Sequence, residues 1–133
     1  MTTSPARTTP PAPLDKDQAR NAVGTLSVAL GAAAVLAPRL TASSFGVRAP
    51  GGPLPLLVRM VGARNAVMGV HTLQATGDAQ AKAVQAGLAV GAVDALAVLV
   101  AARRGVMSKK AAFAVLVVLG GIAALGVVAG QED

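Results

Sequence analysis

Residues 54–75 read LPLLVRMVGARNAVMGVHTLQA, and the fold turns on how that stretch is taken. As a helix rising ~1.5 Å per residue it is about 33 Å long, enough to cross the ~30 Å hydrocarbon core of a bilayer. Most of its side chains are apolar, yet Arg59, Arg64, Asn65, His71 and Gln74 interrupt them. Taken as a crossing, it is the second of four, with the others expected at about 17–37, 79–102 and 111–129. The chain then reads as an all-α, four-span transmembrane helix bundle.

Upstream, the apolar run AVGTLSVALGAAAVLA at 22–37 follows Asp15 and Asp17, which can cap a helix, and ends before Pro38, which cannot continue one. A cleavable signal peptide competes for this run because small residues are plentiful, but it starts far from Met1 and further apolar runs follow. Residues 39–53, RLTASSFGVRAPGGP, read as an interfacial loop. Downstream, Thr76, Gly77 and Asp78 read as a turn, Asp94 lies inside the third apolar run, and the fourth holds no charge. Residues 1–14 contain four prolines and four threonines and little that can pack, so they read as a disordered tail before a membrane domain at 15–133.

Composition narrows the function classes. Of 133 residues, 53% are hydrophobic and 14% charged, too little polar surface to wrap a water-soluble globule of this size. Cysteine is absent, which removes disulfides, thiolate metal sites and cysteine nucleophiles. The net charge of +6 does not mark a nucleic-acid binder, because the cations do not share a face, and Phe45 and Phe113 are the only aromatic residues. It reads instead as membrane topology. The loops between spans one and two and between spans three and four carry Arg39, Arg48, Arg103, Arg104, Lys109 and Lys110; the opposite side carries Arg7, Lys16, Arg20 and Lys82. The positive-inside rule then assigns those two loops to the cytoplasm and both termini to the outside.

Glycines recur along single helix faces: Gly24 and Gly31, Gly62 and Gly69, Gly87 and Gly91, Gly126 and Gly130. Such faces let backbones approach closely, either within one bundle or in a dimer. Ionisable groups inside hydrocarbon carry more information, since Arg or Asp at a helix centre costs roughly 2.5–3.5 kcal/mol. Arg59 lies ~8 Å past Leu54, where its side chain can snorkel to the interface, whereas Arg64 lies ~15 Å in and needs a partner. In an antiparallel neighbour Asp94 sits ~12 Å from the same face, so the two are expected to pair or to share a polar cluster with Arg59, Asn65 and His71. Asp94 also shares a stripe with Gly87 and Gly91, which points it inward. His71, the lone histidine, reads as a packing residue near a helix end or as a proton-transfer group. No metal site is expected, because one His and one nearby Asp supply too few ligands. No phosphate loop, nucleophile elbow or Rossmann glycine pattern is present.

The run Arg59-x-x-Gly62-x-Arg64-Asn65-x-x-x-Gly69, preceded by Pro38 to Phe45-Gly46 and followed by Val93-Asp94-Ala95-Leu96, resembles a family of small four-helix integral membrane proteins (domain-of-unknown-function family 4267 type), DoxX-like in shape. The likeness covers roughly 23–102 and implies a multipass membrane protein with no catalytic residue assigned.

Three functions remain open from the sequence. The first is a non-catalytic structural or accessory bundle whose polar cluster fixes helix register. The second is a transporter or binder of a small or lipophilic molecule at Arg59, Arg64 and Asp94. The third is a membrane-embedded enzyme acting on a hydrophobic substrate, with Asp94 or His71 as acid or base. No cofactor is implied. The expected setting is the cell membrane, with the lipid bilayer and a membrane protein or second copy as partners, and no nucleic acid.

Overall fold

The structure is a computed structural model and is described for residues 12–47 and 52–130. The tail expected at 1–14 lies almost wholly outside the described residues. Five helices follow one another: α1 (Lys16–Leu36), α2 (Pro38–Ser44), α3 (Leu54–Gln74), α4 (Gly77–Arg103) and α5 (Lys109–Ala129).

Local chemistry sets the helix ends. Asp15 precedes α1, and its backbone N–H donates to Gln18 Oε1 at 3.4 Å, occupying one donor that the first turn leaves over. Pro38 ends α1 and, lacking an N–H that a first helical residue would not use, starts α2. Gly46 (φ +73°) then closes α2 in a Schellman turn, with Val47 N donating to Ala42 O (2.9 Å) and Gly46 N to Ser43 O (2.9 Å). The same motif closes α4 at Gly105 (φ +72°), where Val106 N donates to Ala101 O (3.0 Å). Ser108 caps α5, its Oγ accepting from Ala111 N at 3.1 Å. Part of the stretch read as an interfacial loop is therefore helical: Pro38 acts as a starter as well as a stop.

Helices α1, α4 and α5 are long and apolar enough to cross a membrane. This overturns the expected four-span bundle. Helix α3 equals α1 in length at 21 residues, but Arg59, Arg64, Asn65 and His71 dilute its apolar character, and it is not among the candidate spans. The placement of both termini on one side required an even number of crossings and falls with it.

The four long helices pack side by side. Helices α1 and α3 run antiparallel in the most extensive pairing; α1 also packs on α5, α5 on α4, and α4 on α3, while the backbones of α3 and α5 stay apart. Small residues make the α1–α3 seam. A Cβ on Gly31 would fall 2.5 Å from Ala66 N and 2.6 Å from Gly62 O, and one on Gly69 would fall 2.7 Å from both Gly24 O and Val28 N. Only glycine lets the two backbones approach this closely. At the end where α4 begins and α5 finishes, Ala19, Val84 and Ala129 are buried together with Leu88 against them. Elsewhere large apolar side chains face outward, among them Leu56, Met60, Val67, Val93, Leu96 and Phe113. Contiguous apolar faces of this kind suit hydrocarbon rather than water.

Candidate functional site

Helices α3 and α4 are joined by the short Ala75–Thr76 link, so they lie antiparallel and bring Arg64 opposite Asp94. The guanidinium engages both carboxylate oxygens, with Nη2 donating to Oδ2 at 2.5 Å and Nη1 to Oδ1 at 3.2 Å. Two parallel N–H···O bonds between a planar fork and a planar carboxylate form the strongest geometry available to such a pair. Asn65 Oδ1 accepts from the remaining edge, at 3.2 Å from Nη2 and 3.4 Å from Nε. Every guanidinium nitrogen thus has an acceptor, and both carboxylate oxygens a donor. About a third of each side chain stays accessible, 37% for Arg64 and 29% for Asp94, so the pair sits at the edge of the bundle's interior and not sealed within it.

A cavity of about 290 Å³ opens beside this pair, between α1, α3, α4 and α5. Its walls are mostly apolar, with Leu30, Leu88 and Leu119 among them, and Ser27, Asn65 and Asp94 supply its polar edge. Arg64 is not part of the lining; it holds Asp94 and Asn65 from behind.

Of the residues expected to cluster, the structure brings Arg64, Asn65 and Asp94 together and leaves Arg59 and His71 out. Arg59 turns toward the end of α1, its Nε donating to Val35 O at 3.2 Å. His71 is exposed near the end of α3. The glycines also divide. Gly62 and Gly69 lie against α1, whereas a Cβ on Gly91 would meet nothing within 4 Å and one on Gly87 only Met68 Cε at 3.7 Å. Both of these line the cavity instead of closing a helix contact.

Two interhelical fastenings had no counterpart in the sequence reading. Buried Arg20 donates from Nε to Ala129 O at 2.7 Å, tying α1 to the end of α5. Buried Gln80 donates from Nε2 to Thr72 O at 2.9 Å, tying the start of α4 to the end of α3. Both satisfy carbonyls in a last helical turn, which has no intrahelical donor to offer them. A signal existed for Arg20. A cation in the first turns of a helix stands at the unfavourable end of its dipole, and the electronegative C-terminus of another helix is where it gains most.

No protein-family model, curated protein or solved structure matches this chain. The likeness carried by the Arg-Gly-Arg-Asn run therefore rests on those residues alone.

Proposed function

We propose that this chain is a non-catalytic, multipass integral membrane protein of the cell membrane, a structural or accessory bundle in which Arg64, Asn65 and Asp94 form a clasp that fixes α4 against α3. The observation that carries the reading is the two-pronged Arg64–Asp94 contact. Both carboxylate oxygens accept from the guanidinium and every guanidinium nitrogen has an acceptor, so the three side chains satisfy one another across two helices without calling on a substrate. In hydrocarbon the pair's charges cancel, whereas either partner alone would stand as an uncompensated ion costing several kcal/mol. An accessory role places a second membrane protein or a second copy of this chain against the outward apolar faces.

A double-mutant cycle tests the clasp. Arg64→Ala and Asp94→Asn are each expected to destabilise the bundle by about 2–3 kcal/mol, the cost of leaving one ion unpaired in an apolar setting. The double variant should be no worse than either single. Singles that unfold no more readily than the parent protein would sink the structural reading, because the charges would then be kept for something other than the fold.

A further inference from the structure

The cavity beside the clasp is filled by no side chain among the described residues, and its construction differs from a packing defect. Gly91 of α4 and Gly120 of α5 both line it, and a Cβ on either would meet nothing within 4 Å. Alanine at either position would narrow the space without a clash, and a larger side chain would reach further into it. A void of this size left empty would forfeit dispersion contacts along four helices. Its mostly apolar lining matches an apolar occupant.

The polar edge narrows what that occupant is. Ser27 on α1, Asn65 on α3 and Asp94 on α4 all line the cavity. The α1–α3 register, with Gly31 against Gly62 and Gly24 against Gly69, sets Ser27 level with the stretch that holds Asn65. The Ser27 hydroxyl has no hydrogen-bond partner among the described residues. Asn65 spends its Oδ1 on Arg64 and keeps its amide N–H groups. One hydroxyl and one amide group therefore remain at a single level, beside the paired Asp94 carboxylate, and the rest of the lining is apolar. An anion there would meet the Asp94 carboxylate, and a cation would compete with the Arg64 guanidinium for it and feel that charge as repulsion. A pocket with a few convergent polar groups in an apolar shell orients a ligand by one polar head.

We propose that this cavity binds an uncharged single-chain lipophile bearing one hydroxyl or carbonyl group, with the head at Ser27 and Asn65 and the chain along α4 and α5. At about 290 Å³ the space suits one chain of moderate length and not a two-chain phospholipid.

The test uses the full chain in lipid nanodiscs, with 1-decanol, decane and decanoate as probes and the thermal midpoint by far-UV circular dichroism as the readout. Decanol should raise the midpoint saturably, decane should raise it less, and decanoate should leave it unchanged. Gly120→Leu puts a side chain into the cavity from α5, the helix that carries no residue of the clasp, and should abolish the decanol shift; Gly91→Leu, three residues from Asp94 on α4, makes the same test should the first variant fold poorly. A decanol shift that persists at full size in a folded cavity-filling variant would overturn the proposal. So would equal shifts from decane and decanol, since the head would then not be recognised. The clasp is tested without any probe, so its failure and the cavity's are told apart.

Discussion

Replacing Gly31 by alanine perturbs the tightest point of the α1–α3 seam. The new Cβ would lie 2.5 Å from Ala66 N, 2.6 Å from Gly62 O and 2.9 Å from Ala66 Cα, against an ordinary contact of 3.4–4 Å. All three obstacles are backbone atoms, so no side-chain rotation relieves them, and the helices must part by about 0.9 Å at the crossing to reach even the short end of that range. A gap of ~0.5–1 Å forfeits a quarter to a half of the dispersion attraction across the seam. Overpacking of this kind costs about 1–3 kcal/mol, and the rigid neighbours place Gly31→Ala in the upper half. Alanine's advantage over glycine in helix propensity, ~1 kcal/mol in water, offsets little here, because a helix separated from its bundle stays helical in lipid. We expect a loss of about 2–3 kcal/mol for Gly31→Ala and a change within about 0.5 kcal/mol for Gly91→Ala, which meets open space. The assay is reversible unfolding by SDS from mixed micelles, followed by circular dichroism, since the chain has no Trp to report by fluorescence. Equal effects from the two substitutions, or a neutral Gly31→Ala, would refute the reasoning that backbone contact holds this seam.

Three further outcomes separate the other contacts. Gly126→Ala should cost less than about 1 kcal/mol in the same assay, because its nearest obstacle, 2.7 Å away, is the tip of Leu88, a flexible side chain that can turn aside. Arg20→Ala should destabilise by about 1–3 kcal/mol, as it strips the Ala129 carbonyl of a buried donor, while the exposed Arg39→Ala serves as the near-neutral control. His71→Ala should fall within about 0.5 kcal/mol of the parent; a large loss would show that the exposed imidazole has a partner.

Hydropathy made most of the helices legible. The expected runs at 17–37, 79–102 and 111–129 lie within two residues of α1, α4 and α5 at each end, since unbroken apolar sequence between capping residues leaves few alternatives. The stretch at 54–75 is legible as a helix of spanning length, but Arg59, Arg64, Asn65 and His71 set α3 apart from the apolar spans. Helix α2 escaped because Pro38 signals both an end and a beginning and only the first was read. Spacing could not sort the glycines. Gly87 and Gly91 share the four-residue interval of a packing motif, yet only the partner surface decides whether such a face meets backbone, as at Gly31 and Gly62, or a cavity. Gln80 is hidden for a different reason, since its partner is a backbone carbonyl, which carries no sequence signature; for Arg20 the position near a helix N-terminus is a signal, but the partner carbonyl is not.

The uneven packing explains why the ion pair stands where it does. In lipid, apolar side chains gain little by exchanging hydrocarbon for another helix, so close backbone packing and polar contacts decide which helices associate. Helices α1 and α3 have the first; α3 and α4 lack it, and α4 presents to them glycines that touch almost nothing. Sliding α4 by one turn, about 5.4 Å, would barely change its exposed Val93, Leu96 and Leu99, but it would break the Arg64–Asp94 fork. Asp94 and Gln80 fasten the helix to α3 at two points 14 residues apart (94 − 80), about 21 Å along its axis. Gly87 and Gly91 fall between those points, on the face of α4 that meets the cavity, while Val84 and Leu88 of the same stretch pack at the end of the bundle. A cavity is the geometric consequence of that arrangement, so cutting either fastening should let α4 settle inward and shrink it.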